Sequence, residues 1–329
     1  MSAGGGKTAF ILAGGGSRGA YQAGCLRRLD EEGIRPDLVI GSSIGVPNSL
    51  VYATAGAEGL WEFWSRASSL PHVLTPSLRR NALFGNSFFS MNGLVRLVES
   101  EVDFDRCFHS GMELTYVLAN LSAGHEELRG NRTEPDVDRF RTVSRIGYTI
   151  PILHPLIELD GDLYADGGFL WNVPFEYAVE DWGAEEVYIL SALPSDLPRA
   201  GSLRSLPRVA LRMYDLVCRT VGHSSYLDKR LEDGRWLGTE VTVLSPSAET
   251  GAFDPLGMLN AHPAKSKRLL WRGYRDTDEV LRGGAARSKP SKAAASRAPA
   301  GGVGTRKSVD GGSRLASSPR GRRRHSARS

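Results

Sequence analysis

Long apolar runs, paired cysteines and internal repeats are all missing from this 329-residue chain, and each absence narrows the reading. No stretch approaches the roughly 18 consecutive apolar residues that a membrane-spanning helix requires. Residues 1–7 are glycine-rich and lack the basic-then-apolar order of a secretory signal, and the apolar run at 9–13 is too short to act as one. The chain therefore reads as cytoplasmic. Its three cysteines, Cys25, Cys107 and Cys218, are odd in number and contain no CxxC spacing, so reduced core thiols are expected rather than disulfides or a metal or redox site. No self-similar period of solenoid or propeller length is present. Large apolar residues nearly vanish after residue 282. That stretch, 283–329, holds twelve Lys or Arg and one acid, Asp310, against 29 basic and 36 acidic residues before it. It cannot bury enough surface to offset chain entropy and is expected to be a disordered basic tail.

What is present is enough for a packed core: 41% of residues are apolar, 24% are charged and the mean hydropathy is −0.25. The body alternates strand and helix patterns. A strand over residues 8–13 runs into a glycine cluster and then a helical pattern over 20–32, stopped by Gly33. A second short strand, 38–40, meets a tight turn and a helical stretch over 47–55. This βαβα opening predicts an α/β fold with a mainly parallel sheet covered by helices on both faces. Further strands are expected at 114–120, 163–165 and 187–190, and helices at 175–181 and 264–281. Residues 206–237 read as mostly helical, and 56–112, rich in aromatic residues such as Trp61, Phe63, Trp64, Phe84 and Phe88, as helices and loops over one sheet edge. Three segments follow: a flexible start at 1–7, one catalytic-type domain at 8–282, and the tail at 283–329.

Three glycine-rich motifs carry the chemistry. Gly41-Ser42-Ser43-Ile44-Gly45 lies between an apolar strand and a helical pattern, where a GxSxG nucleophile elbow belongs. There a strained turn lifts a hydroxyl onto a helix N-terminus, whose dipole and free amides stabilise negative charge. Gly14-Gly15-Gly16-Ser17-Arg18-Gly19 follows the first strand, and its row of backbone N–H groups suits an oxyanion. The same string satisfies GxGxxG, but a dinucleotide site needs an acid at the end of the second strand, where Gly41-Ser42-Ser43 stands instead; Asp37 precedes the strand. Asp166-Gly167-Gly168 ends the expected strand at 163–165; taken alone it is an Asp-Gly turn. None of the seven histidines sits in a loop that plainly follows a late strand, as a Ser-His-Asp triad requires. His154 and His262 both precede proline and read as structural.

In these three motifs, in this order, the chain resembles the patatin-like phospholipase family, which joins a GGGxRG loop, a GxSxG elbow and a DGG aspartate into a Ser-Asp dyad without histidine. The segment from Tyr148 through Pro155, and Asn172 and Pro174 after DGG, agree with that pattern; Ile44-Gly45-Val46-Pro47 is bulkier than the family's usual elbow. The resemblance implies a three-layer α/β/α patatin-like domain with Ser43 as nucleophile and Asp166 as general base. It assigns the oxyanion loop to Gly14, Gly15 and Gly16 with Arg18 fixing it, and structural roles to Gly19, Gly41, Gly45, Gly167 and Gly168. It implies a serine acyl-ester hydrolase of phospholipase or lipase type acting on a lipid or acyl ester, with no metal or nucleotide cofactor. Two alternatives stand beside it: a catalytically silent member that binds lipid, and a nucleotide-binding oxidoreductase using the GxGxxG string. The basic tail would draw the protein to anionic membrane surfaces. It would attract nucleic acid equally through charge alone, with nothing to specify a sequence.

Overall fold

The computed structural model describes residues 6–66, 75–76, 89–90, 92–194, 203–204, 206–222, 231–246 and 262–283. In chain order these hold β1 (Thr8–Leu12), α1 (Gly19–Glu31), β2 (Leu38–Gly41), α2 (Gly45–Arg66), β3 (Thr75–Pro76), β4 (Phe89–Ser90), α3 (Asn92–Glu101), α4 (Phe104–Phe108), β5 (Glu113–Asn120) and β6 (His125–Gly130). There follow α5 (Val137–Gly147), β7 (Ile157–Leu159), β8 (Asp162–Asp166), a π-helical turn at Tyr177–Asp181, β9 (Glu186–Leu190), α6 (Leu206–Gly222), β10 (Arg235–Trp236), β11 (Thr239–Leu244) and α7 (Pro263–Arg282). Local chemistry marks the boundaries. Gly33 leaves α1 at φ +76°, Asp103 and Asp136 cap α4 and α5 through their carboxylates, and His262 with Pro263 opens α7.

Nine strands form one sheet in the order β10-β11-β9-β1-β2-β5-β8-β7, with β6 also paired to β5. The five from β11 to β5 are parallel and the flanks antiparallel. The parallel strands are covered on both faces, which is why they read as continuous apolar runs rather than alternating ones. Phe10, Leu12, Val39, Tyr116, Leu118 and Leu190 pack into one cluster with α1, α2 and α5, while Ala9, Ile11, Ile40, Val117 and Ile189 face Val173, Phe175 and Ala178 around the π-helical turn. Helices thus lie on both sides of a mostly parallel sheet, in layers of unequal depth. On the thicker side α1 and α7 meet backbone to backbone: a Cβ on Gly24 would stand 2.0 Å from the Leu270 carbonyl oxygen, and one on Gly273 2.0 Å from that of Tyr21.

The strand β5 explains how two motifs far apart in sequence can meet. Its first four residues, Glu113 to Tyr116, pair with β2, and its last three, Leu118 to Asn120, pair with β8. Strand β6 pairs along Thr115 to Asn120 and overlaps both, so β2 and β8 share the opposite edge of β5. They run in opposite directions, β2 parallel and β8 antiparallel to β5. Their C-terminal ends therefore point at each other across a gap of about one residue, bringing the turn after Gly41 against Asp166.

Most expected elements are present within a residue or two. The helix expected at 47–55 continues to Arg66, but Gly56 interrupts it at φ 71°, ψ −173°, which only glycine accepts readily, so the expected end falls on a real break. Of residues 206–237, Leu206–Gly222 is helical as expected and 223–230 lie outside the described residues; Arg235–Trp236 is a strand, paired antiparallel with the unforeseen β11. The two-residue turn joining them, Leu237-Gly238, has positive φ at both positions, the geometry that matches strand twist. The same device, Asp160-Gly161, joins β7 to β8. Asp166-Gly167 is different: Gly167 has no positive φ and its amide donates to the Val117 carbonyl, so this Asp-Gly pair is not a hairpin turn. Phe84 and Phe88 and the tail from residue 284 lie outside the described residues. No described helix is long and apolar enough to cross a membrane.

Candidate active site

Strands β1 and β2 are in register, Leu12 beside Gly41, so the glycine loop and the elbow leave the sheet side by side, and the Ser42 amide donates to the Leu12 carbonyl at 3.0 Å. Ser43 has φ 52°, an uncommon left-handed conformation for a residue with a Cβ. Such strain persists where surrounding structure enforces it. Here the enforcement is close packing on both sides. A Cβ on Gly45 would lie 1.9 Å from the Leu12 carbonyl oxygen, so α2 starts directly against β1. Pro47 sits in the first turn of α2, where its missing N–H costs no helical bond.

Asp166, the last residue of β8, is fully buried. Its amide donates to the Thr149 carbonyl at 2.8 Å, so the segment after α5 holds the aspartate in place. Its Oδ1 accepts from the Gly168 amide at 2.8 Å, and its Oδ2 from the Tyr214 hydroxyl at 3.3 Å. Burial pushes its pKa up from 3.8 to about 6, opposed by bonds that favour the carboxylate, from Ser43, Gly168 and Tyr214. A carboxyl with a pKa near 6 is ionised at neutral pH and still basic enough to take a proton in a transition state. Ser43, itself only 4% exposed, touches this carboxyl through its hydroxyl and its amide.

The third motif closes the cluster. A Cβ on Gly14 would stand 2.9 Å from the Ser43 Cβ, and one on Gly168 2.6 Å from the Ser42 hydroxyl and 3.1 Å from Asp166 Oδ1. The three motifs therefore converge on one point. The Gly14 amide donates to Asn172 Oδ1 at 2.7 Å, which corrects its expected place among the oxyanion donors and leaves Gly15 and Gly16 as candidates. Gly19 and Gly41 pack against the elbow helix, and Gly167 against the β5 backbone. Arg18 points inward and forms a forked ion pair with Asp215 at 3.0 and 3.2 Å, its side chain 1% exposed and that of Asp215 3%. Beneath the loop, Gln22 donates to the carbonyls of Ala13 and Leu190, Asn48 to Gln22 and to the Gly19 carbonyl, and the Trp64 indole to Asn48. This chain of bonds ties the ends of β1 and β9 to α1 and α2.

Sequence reasoning missed Tyr214 and Asp215, both on α6, which packs over the site and also accepts Asn172 Nδ2 on the Cys218 carbonyl. Their signal in the sequence was Asp215, the single acid in that helix. Among the described histidines, neither of the two that precede proline bonds to Ser43 or Asp166. His154 accepts the Ile150 amide and burial lowers its pKa to about 4, while His262 accepts the Ala264 amide at the start of α7. Cys25, Cys107 and Cys218 are buried free thiols. Among the described residues no group of three His, Cys, Asp or Glu is placed to hold a metal ion.

The mixed, mostly parallel sheet, the elbow after β2 and the aspartate ending β8 define an α/β protein of the patatin fold. A family model described as "Patatin-like phospholipase" matches residues 10–179, more than half of the chain, and the chain belongs to that family. The Caenorhabditis elegans patatin-like phospholipase domain-containing protein ZK370.4 is 30% identical over 178 residues, 50% of this chain and 12% of that one. The human patatin-like phospholipase domain-containing protein 6 is 29% identical over 194 residues, 57% of this chain and 13% of that one. The chain thus spans about an eighth of the length of these relatives. Among solved structures, VipD from Legionella pneumophila aligns with a TM-score of 0.44 at 13% identity, covering 85% of this chain and 67% of that chain. The type III effector ExoU aligns at 0.42 and 12%, covering 85% of this chain and 53% of that chain.

Proposed function

We propose that this protein is a carboxylic ester hydrolase acting on lipid or other acyl esters, with Ser43 as nucleophile and Asp166 as general base. The observation that carries the reading is the buried Asp166 carboxyl, raised to about 6 and in contact with a serine held at positive φ. In the reaction the Ser43 oxygen attacks the ester carbonyl carbon while its proton passes to Asp166. The resulting oxyanion is met by the amides of Gly15, Gly16 and Ile44, since fixed backbone donors stabilise developing charge. The tetrahedral adduct collapses, the C–O bond to the alcohol breaks, and Asp166 returns the proton to the leaving oxygen. Water, deprotonated by Asp166, then releases the acid from the acyl-enzyme. Arg18 acts at a distance, anchoring the glycine loop to α6 through Asp215. The family's phospholipase name supports a lipid substrate, and the acyl position and headgroup are matters for assay.

A fluorophosphonate probe tests the nucleophile directly. The expected result is covalent labelling and ester hydrolysis by the wild type, both abolished in Ser43→Ala with its melting temperature little changed. Hydrolysis by Ser43→Ala near the wild-type rate refutes the assignment, and a wild type that neither labels nor hydrolyses is a silent lipid-binding member.

A further inference from the structure

Helix α6 is built the wrong way round for a helix packed on a core. In an ordinary surface helix the apolar stripe faces inward. Here the inward positions carry, beside the buried Cys218, Tyr214, bonded to Asp166, and Asp215, paired with Arg18. The apolar residues Val209, Met213, Leu216 and Val217 fall, with Thr220, within one stripe about 100° wide on the other side. Beyond the half-buried Val209 that stripe faces solvent: Met213 is 60% exposed, Leu216 and Val217 42% each, and Leu203 just before the helix 43%. The arginines follow a rule too. Arg208, Arg212 and Arg219, each half-buried, fall in a column along one border of the stripe, and exposed Arg204 precedes it.

We propose that the outer face of α6 is a docking surface for an anionic phospholipid bilayer. A helix with an apolar stripe bordered by arginines matches the acyl-headgroup boundary: the apolar side chains enter the acyl region while the guanidinium groups of Arg204 and Arg208 meet lipid phosphates. The charge along the border selects an acidic lipid over a neutral one. Seating has a consequence at the site, because the inner face of the same helix closes it. Tyr214 holds Asp166, and Ser43 is only 4% exposed beneath. Drawing α6 toward the bilayer lengthens the Tyr214 contact and uncovers Ser43 where substrate is most concentrated. This coupling rests on the reading of Ser43 and Asp166 above; the docking surface does not.

The test uses the full chain carrying Ser43→Ala, so that binding is measured without turnover, by co-sedimentation with vesicles of phosphatidylcholine and of phosphatidylcholine mixed with phosphatidylglycerol. The expected result is binding to the mixed vesicles, weakened about tenfold or more by adding Leu216→Glu and Val217→Glu. Val280→Glu, at an exposed apolar position on α7, is expected to bind as the parent does. The basic tail is present in every protein compared. Binding to mixed vesicles that is unchanged by L216E/V217E overturns the proposal, as does no binding by the parent. A parent dimer in solution that L216E/V217E dissociates, with no vesicle binding, assigns the face to a second copy and overturns it too. If L216E/V217E does not fold, Met213→Gln carries the same comparison. With Ser43 intact, mixed vesicles are expected to speed fluorophosphonate labelling, and less so in L216E/V217E. No labelling under any condition refutes the nucleophile assignment and leaves the binding result standing.

Discussion

Replacing Asp166 by Asn separates what this carboxyl does for chemistry from what it costs the fold. Burial raises its pKa from 3.8 to about 6, so the folded protein holds that proton more tightly than the unfolded chain does. Stability from this group is therefore fully present below about pH 4 and lost as pH rises through about 6. Each pH unit of the gap is worth about 1.4 kcal/mol, so the ionised carboxylate costs the folded state about 3 kcal/mol at neutral pH. Asn keeps the shape and an acceptor for the Gly168 amide, and the Tyr214 hydroxyl can turn to accept from the new NH2, so most of that cost disappears. At 2–4 °C per kcal/mol for a domain of this size, Asp166→Asn should melt about 5 °C above wild type near pH 8. The difference should fade toward pH 4. Activity moves oppositely: wild-type kcat/KM rises with pH through about 6, and the Asn variant loses about 10²-fold or more, because an amide cannot take the serine proton. Thermal melts at several pH values alongside ester kinetics check both. A variant that melts below wild type at pH 8, or a difference that does not change with pH, refutes the buried-charge reasoning.

Tyr214→Phe removes a donor to Asp166 Oδ2 and should move the acid limb of the activity profile to higher pH; a shift to lower pH would contradict the hydrogen bond. Arg18→Met strands the Asp215 carboxylate in the interior and should cost about 3–5 kcal/mol in urea unfolding, while Arg18→Met with Asp215→Leu should recover most of it. A double variant as unstable as the single one would show that the ion pair is not what matters. Gly45→Ala places a Cβ 1.9 Å from the Leu12 carbonyl oxygen, so α2 must lift off β1 and the loss should exceed about 3 kcal/mol; near-wild-type stability would mean the contact is relaxed cheaply.

Much of the site was legible because its parts are local. A strand followed by glycines and then a helix is a pattern within 15 residues, and both the loop after β1 and the elbow after β2 follow from it. Parallel strands buried on both faces also announce themselves as unbroken apolar runs, which is why β1, β2, β5 and β9 were found. The short flanking strands were not. Residues 239–244, Thr-Glu-Val-Thr-Val-Leu, alternate in a pattern a strand search could have caught, but β7 and β10 are two or three residues long and exist only because a turn and a neighbour hold them. The Asp-Gly pairs show the limit of local chemistry. Asp160-Gly161 is the hairpin turn that the dipeptide suggests, and Asp166-Gly167 is not, although the two read alike.

By itself the sequence determined the α/β class, the order of the first four elements and the residue types able to do acyl-transfer chemistry, since periodicity and glycine spacing act over short stretches of chain. Only the tertiary structure decided that these residues meet. Ser43 and Asp166 are 123 positions apart, and they face each other because β2 and β8 share one edge of β5 from opposite directions. The same holds for Asn172 taking the Gly14 amide and for α6 laying Tyr214 on Asp166 and Asp215 on Arg18. Strand order and helix docking are set by which apolar faces must be buried together, and that sum runs over the whole chain rather than any window of it.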